Sequence, residues 1–447
     1  MGQRDRTLTQ IFGFDGFRVN AHFETKLGVR VAPEASPAVL RGMMLVLEVT
    51  RRWLPRCGGC GKVCRRVHEH LRARRWLDMP WAEHPVVIEY APVRVKCRSC
   101  HTSPTELIAW AEPHQRQTRR LQQHLAVQAA SMPISHVALL HGLDWTTVRR
   151  AEQAAIERWE QARPPVRLRF VGVDEKYLGR RGKHRPDKFV TVVSNLETGE
   201  PVWFGYGRRK ETLASWINGL SDEQRSRIVL FAMDMHEPFA EAVREAPGLA
   251  HVAIVHDPFH VMKRAGEAVD EVRRRVLFRA GPELRAVGRG KRWLFLRSPV
   301  RLTDQQRREV AVLLRANHTL MHAYTVKEHL RDVLRSASYE DMADGLRAVL
   351  RRTARRANIP MRKLHDSLWA HFDAIVALGE HHPPTGRIEA LNNNWETLVR
   401  RGRGYRDLSG MLRRLRFMTV NPIRTSRGFK RFVALGATPT FPARAAA

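Results

Sequence analysis

Two Cys-x-x-Cys pairs constrain this chain more than any other feature. Cys57-Gly-Gly-Cys60 and Cys97-Arg-Ser-Cys100 are each a turn that can present two thiolates to one tetrahedral zinc ion. Glycines at 58, 59 and 61 permit the tight backbone of such a knuckle. The gap between the pairs exceeds the usual spacing of about 15–20 residues. Strand-like runs at about 74–79 and 85–95 fill it as a β-ribbon would. The pattern predicts a zinc ribbon over residues 51–112, with structural Zn²⁺ held by Cys57, Cys60, Cys97 and Cys100. Cys64 is left over, either spare or an alternative ligand, and His68 and His101 are weaker substitutes. Unmetallated thiols are the plain alternative. Five cysteines in 447 residues make no disulfide scaffold, so a reducing cytoplasm is expected.

Lysine and arginine total 77 against 45 aspartates and glutamates, a formal net charge of +32. A folded chain with this surplus calls for a polyanion, because each neutralised phosphate releases condensed counterions. Nucleic acid is the expected partner, an anionic membrane surface is the weaker alternative for want of a dominant basic amphipathic helix, and solvated arginine faces are the competing account. No run approaches the roughly 18 apolar residues of a spanning helix. The opening MGQRDRTLTQIFGF lacks the apolar core and cleavage site of a secretion signal. No membrane partner is expected.

A helical pattern fills about 115–162 and contains a candidate helix-turn-helix. Ser135 can cap a short helix, Gly142 can end it and Asp144 can cap the next. The second helix would present Thr146, Thr147, Arg149 and Arg150 to the DNA groove. An ordinary helical hairpin is the alternative.

Downstream, strand-like runs at 167–174, 188–195, 201–206, 227–233 and 251–256 alternate in their later part with helical stretches at about 210–220 and 237–246, which reads as an α/β core. Asp174 and Asp234 each close an apolar strand, and Glu389 begins a late helix. Strand-end carboxylates on neighbouring strands can converge on a hard divalent cation, and three bunched acids would repel one another without it. Glu175, adjacent to Asp174, would project to the opposite face of the strand. Singly, each acid reads as a cap or a surface charge.

Taken in order, these motifs resemble the ISL3 group of bacterial insertion-sequence transposases, DDE enzymes with a ribonuclease H-like core. The resemblance covers nearly the whole chain. It includes the zinc knuckles with Leu77-Asp78-Met79-Pro80 between them, the helix-turn-helix, Val173-Asp174-Glu175, Gly207-Arg208-Arg209-Lys210, and Met233-Asp234-Met235. It continues with His256-Asp257-Pro258-Phe259-His260-Val261, Glu389 with its asparagines, and Arg401-Gly402-Arg403-Gly404-Tyr405-Arg406. The resemblance implies that Asp174, Asp234 and Glu389 are the catalytic acids, holding two Mg²⁺ (or Mn²⁺) ions. Asp257 is the rival for the second place, and Asp257 with His260 matches a supporting Asp-x-x-His pair. Asn392 and Asn393 are expected to position substrate or the glutamate. Ala390 stands where many relatives have glycine, a change that favours helix.

The implied organisation is an N-terminal segment (1–50), the zinc ribbon (51–112) and the helix-turn-helix domain (113–163). An α/β RNase H-like catalytic core follows (first part 166–260), interrupted by a helical insertion (261–385) and completed by residues 386–447 with the catalytic glutamate and a basic tail. From Arg387 to Val433 there are 12 basic residues against 3 acidic ones. Arg400, Arg401, Arg403 and Arg406 are the expected phosphate contacts there. The implied activity is binding of terminal inverted repeats with metal-dependent DNA cleavage and strand transfer. A dimer or larger complex on DNA is expected, in a bacterial cytoplasm at the nucleoid. A domesticated DNA-binding regulator without catalysis, or an RNase H-like nuclease, are the alternatives.

Overall fold

The structure is a computed structural model. It describes residues 16–25, 28–31, 40–179, 187–279, 281–354, 358–402 and 407–436, together with Thr9, Phe12 and Phe14. The chain divides into two compact units. The first is Met1–Pro164 with Leu398–Gly404 and Asn421–Ala447, and the second is Pro165–Thr397 with Tyr405–Val420.

Among the described residues, seven strands lie in the first unit: β1 (Phe17–Glu24), β2 (Arg30–Val31), β3 (Met44–Arg51), β4 (Val67–His70), β5 (Arg74–Trp81), β6 (His84–Tyr90) and β7 (Val93–Val95). Five of them form a sheet in the order β2-β1-β3-β6-β5, and β4 pairs with β7 as a separate ribbon. In β1, Phe17, Val19 and Phe23 are buried while Arg18 and Asn20 are exposed, the period-two pattern of a half-buried strand. The buried face closes on Trp110. Its ring takes edge-on contacts from Phe14, Phe17, Trp76 and Tyr90, with centroids 5.1 to 5.9 Å away.

This arrangement differs from the expected one in two ways. β3 runs through the boundary drawn at residue 50, and the strand-like runs between the knuckles separate. β5 and β6 join the N-terminal strands, and only β7 stays with the ribbon. The reason is burial. Trp76, Val86, Ile88 and Tyr90 need an apolar partner that a two-stranded ribbon cannot supply. Buried Glu106 ties ribbon to sheet: it accepts from Arg51 Nη1 (2.6 Å), the Tyr90 hydroxyl (2.8 Å) and Val93 N (2.8 Å). Three donors, one of them charged, offset the cost of burying a carboxylate.

Helices Arg119–Ser131, Ile134–Leu140 and Trp145–Gln161 complete this part of the unit around Leu125, Val137, Val148 and Ala151. Thr118 caps the first helix and donates its hydroxyl to Asp78 Oδ1 at 2.7 Å. Arg120 holds the same carboxylate from Nε at 2.7 Å. The aspartate of Leu77-Asp78-Met79-Pro80 therefore fastens the sheet to the helices.

The second unit holds β8 (Phe170–Tyr177), β9 (Phe189–Asn195), β10 (Glu200–Tyr206), β11 (Leu230–Met233) and β12 (Ala253–His256), in the order β10-β9-β8-β11-β12. β8, β9 and β10 pair antiparallel, whereas β11 lies parallel to both β8 and β12. β11 starts later than the sequence suggested, because Ser221 makes a capping box with Gln224 and residues Asp222–Arg227 form a helix. Residues beyond β12 are helical as expected. In helix Pro258–Arg279 the buried Val261, Ala265, Val269 and Val272 recur every three or four positions and pack with Leu320, Leu330, Leu346 and Leu368 of later helices. Helix Leu408–Val420 docks on β10, where Arg416 donates to the carbonyls of Pro201 (3.0 Å) and Val202 (3.2 Å) and pairs with buried Glu200 at 3.3 Å. Arg414 is buried as well. Part of the basic tail is thus structural.

Candidate functional site

The register of the parallel strands brings the acids together. Met233 pairs with Val173 on one side and His256 on the other. The following residues, Asp174, Asp234 and Asp257, therefore sit side by side: Asp234 and Asp257 just past the ends of β11 and β12, and Asp174 where β8 stops pairing with β11, although β8 itself runs on to Tyr177 against β9 and Asp174 does not close it as expected. Ligands collect at such carboxyl ends in α/β sheets because the side chains there project past the last hydrogen bonds into open space.

Each acid is held differently. Asp174 Oδ2 accepts from Asn392 Nδ2 at 2.8 Å and lies 3.2 Å from Lys176 Nζ, and its Oδ1 accepts from Glu175 N. Asp234 Oδ2 lies 3.1 Å from His260 Nδ1, and its Oδ1 accepts from Met235 N at 2.6 Å. Burial opposes ionisation of Asp234, but the His260 contact and charge outweigh it and bring its pKa down to about 2. His260 shows the converse: burial disfavours its charge, and the Asp234 bond with the nearby Asp257 and Asp174 raises its pKa overall. Asp257 is 5% exposed and its pKa is raised, chiefly by burial. It starts helix Pro258–Arg279 by accepting from Phe259 N at 3.0 Å.

Helix Gly386–Gly402 covers this face. Gly172 makes that approach possible: a Cβ there would lie 2.6 Å from Ser194 Oγ, 2.7 Å from Leu196 Cδ2 and 3.3 Å from Ile388 Cγ1. Asp174 is two residues along the same strand and so faces the same way. Ile388, Leu391 and Trp395 are the buried stripe of the helix. Asn392 reaches Asp174, and Glu389, one turn earlier on the same side, is exposed. Asn393 is exposed too. Among the described residues, the carboxylates make no group of three with ligand atoms all within 4.8 Å of one another. Glu175 faces away, bonded to Arg208 Nη1 at 3.0 Å, as alternation requires.

Two features were missed at the sequence level. Lys176 could have been found by the same two-residue spacing that relates Gly172 to Asp174. The His256–His371 contact, Nε2 to Nδ1 at 3.1 Å, joins positions 115 apart and left no local signal.

The four cysteines do converge. Cys57 and Cys100 sulfurs are 3.9 Å apart, Cys60 and Cys97 sulfurs 3.6 Å, and all four lie within 4.8 Å. A tetrahedral site with Zn–S bonds of about 2.3 Å has S···S edges of about 3.8 Å, so the quartet fits zinc. Backbone N–H groups of Cys100 and Ser99 point at Cys97 and bring its pKa down to about 6, which favours the thiolate a metal needs. Cys64 is outside the quartet, buried, with its thiol toward the Lys62 carbonyl.

In the helix-turn-helix, Gly142 has φ +60° and Asp144 caps Trp145–Gln161 by accepting from Thr146 N and Thr147 N, both at 3.0 Å. Ser135 does not cap the preceding helix; Pro133 holds that place. Thr146 and Arg150 are exposed, Thr147 is half-buried with its hydroxyl on Asp144, and Arg149 is paired with buried Glu152 at 2.8 Å. Arg400 is exposed, while Arg401 donates to the Ala130 carbonyl at 3.0 Å. Arg403 and Arg406 lie outside the described residues. No helix among the described residues is long and apolar enough to cross a membrane.

Comparison with known proteins agrees with this layout. Residues 171–415 match a family profile described as transposase, and residues 107–155 match the helix-turn-helix domain of transposase family ISL3. The chain is 29% identical over 365 residues to the transposase for insertion sequence element IS1001 of Bordetella parapertussis, covering 78% of this chain and 85% of that protein. It is 27% identical over 393 residues to the transposase for insertion sequence element IS1557 of Mycobacterium tuberculosis, covering 80% and 84%.

Proposed function

The chain belongs to the ISL3 family of transposases, and from that premise we propose that it cuts DNA at the terminal inverted repeats of its own insertion sequence and joins the ends to target DNA. The observation that carries this reading is that Asp174 and Asp234 lie side by side where the parallel pairing of β8 and β11 ends, with Asn392 of helix Gly386–Gly402 bonded to Asp174. The sheet order, three antiparallel strands continued by two parallel ones, supports an RNase H-like core.

Asp174, Asp234 and Glu389 would hold Mg²⁺ or Mn²⁺. Two such ions supply a potent oxygen nucleophile and stabilise the leaving oxygen. The protein's own groups do the rest. Asn392 fixes the Asp174 carboxylate, and His260 fixes Asp234 and keeps it ionised. Lys176 lies where its ammonium can move from Asp174 to a phosphate oxygen once a cation arrives. Asp234, with 35% of its side chain exposed and its charge favoured by His260, would be the second ligand in preference to Asp257, which is 5% exposed and whose charge burial disfavours. Thr146 and Arg150 read the repeats, with Arg149 braced by Glu152. The four cysteines hold Zn²⁺ as a structural element, and a dimer or larger complex pairs the two ends.

The test is a cleavage and strand-transfer assay on labelled DNA carrying the element's ends, with Mg²⁺ or EDTA, comparing wild type with Asp234→Asn. Metal-dependent cutting that disappears in the variant is expected, with end binding retained. End binding without cutting by folded wild-type protein would point instead to a DNA-binding regulator.

A further inference from the structure

A cavity of about 790 Å³ lies within the helical stretch that follows the strand-end acids. Arg275 and Arg279, near the end of helix Pro258–Arg279, and Arg352, near the end of helix Tyr339–Thr353, line it. His318 and His322 face it from helix His318–Val333. That helix and Ile359–Ala370, of 16 and 12 residues, both begin at its wall, with caps Asn317 and Asn358 among the lining. No aspartate or glutamate lines it among the described residues.

An arginine near a helix C-terminus is ordinarily explained by its own helix dipole. That account covers one helix at a time. Here arginines from two helix ends meet the positive ends of two other helices around one space. Arg275 has an acidic partner in Glu271 at 2.5 Å, outside the lining, and Arg352 has no acidic partner among the described residues, its guanidinium lying 3.3 Å from His329 Nδ1. Arg279 is exposed and has no acidic partner among the described residues. Like charges gathered without acids are stabilised by an anion. The floor is apolar, with Val272 and Met361 buried there. The space is also much larger than one phosphate group, so it suits a phosphate attached to a sugar and base.

We propose that this pocket in the helical insertion binds a nucleotide unit through its phosphate, and that DNA backbone supplies it. The pocket would then be a second grip on DNA, separate from the helix-turn-helix and from the acids. The inference rests on the protein being a DNA-binding transposase, and not on which carboxylates are catalytic. DNA is favoured over a free nucleotide because the whole chain carries +32 and its residues 107–155 match a transposase helix-turn-helix domain.

The experiment uses the full-length protein and a duplex carrying the element's end. Binding is measured across a salt series for wild type and for Arg279→Glu combined with Arg352→Glu. The variant should bind at least about tenfold more weakly, and its plot of log affinity against log salt should be shallower by about two. A variant that melts like wild type and keeps both affinity and slope overturns the proposal. Should the double variant fail to fold, Arg279→Gln, at an exposed position, is read in the same way. A parallel thermal-shift titration uses ATP and inorganic phosphate. Stabilisation of wild type by ATP, lost in the variant while the DNA slope stays unchanged, would make a free nucleotide the ligand and overturn the DNA assignment. Wild type that binds no DNA would sink the transposase reading itself, and this inference with it; a variant matching a DNA-binding wild type sinks the pocket alone.

Discussion

Asn392 donates from Nδ2 to Oδ2 of Asp174 at 2.8 Å, joining residues 218 positions apart. The bond spans from a helix to a strand and, with Lys176 and the Glu175 N–H, fixes the rotamer of that carboxylate. Groups that orient a metal-binding side chain typically affect metal affinity or activity by about 10–100-fold. Asn392→Ala should lower the single-turnover cleavage rate within that range and raise the Mg²⁺ concentration needed for half-maximal rate. A rate and metal dependence equal to wild type would mean that Asn392 does not orient Asp174.

Asp257 and Asp234 are separated by burial: Asp257 is 5% exposed and burial raises its pKa, whereas 35% of the Asp234 side chain is exposed and His260 favours its charge. Asp257 is buried and accepts from Phe259 N at the head of its helix. Asparagine can still accept that bond. Asp257→Asn should therefore retain measurable cleavage where Asp234→Asn loses it, in the same assay on the same DNA. The reverse order of severity would transfer the second metal-binding role to Asp257.

Gly172 permits helix Gly386–Gly402 to lie close to β8. A valine there meets Ser194 and Leu196 below van der Waals distance before the helix can seat. Overpacking of this kind costs about 1–3 kcal/mol. Gly172→Val should lower the denaturant midpoint of the second unit and reduce cleavage together, because the same contact positions Asn392. Urea titration followed by the cleavage assay reads both.

The cysteine quartet should carry zinc. Purified wild type is expected to contain about one zinc per chain, and Cys97→Ser much less, by elemental analysis. Chelation should lower the melting temperature of the first unit, because the quartet joins the turn before β4 to the turn after β7. Zinc-free protein with an unchanged melting curve would show the thiols to be unmetallated in the folded state.

Burial holds the His141 pKa below its usual value of 6.5, and His124 lowers it further. His141 Nε2 donates to Gln128 Oε1 at 2.6 Å within the helix-turn-helix unit. The unfolded chain therefore binds a proton at higher pH than the folded one does. Stability from this group is complete above about pH 6.5 and is lost as pH falls below it. His141→Gln should flatten the fall in melting temperature between neutral and mildly acidic pH. An equally steep fall in the variant would place the sensitivity elsewhere.

The local chemistry was legible in the residues themselves. Cys-x-x-Cys turns, the Gly142–Asp144 stop and start, and the aspartate that closes the apolar run Leu230–Met233 are written over spans of a few residues, where backbone preference and side-chain type decide the outcome. Tertiary structure decided everything that depends on packing at long range. Trp110 drew β5 and β6 out of the expected ribbon into the N-terminal sheet, because large apolar side chains needed a common core. Arg401, Arg414 and Arg416 were spent inside the protein, although their sequence looks like a phosphate-binding tail. The pairing of Asn392 with Asp174 follows from a helix crossing a glycine on a strand more than two hundred residues away. Sequence fixes which groups are available. Only the folded chain sets which of them meet, because contact depends on shape and burial summed over the whole unit.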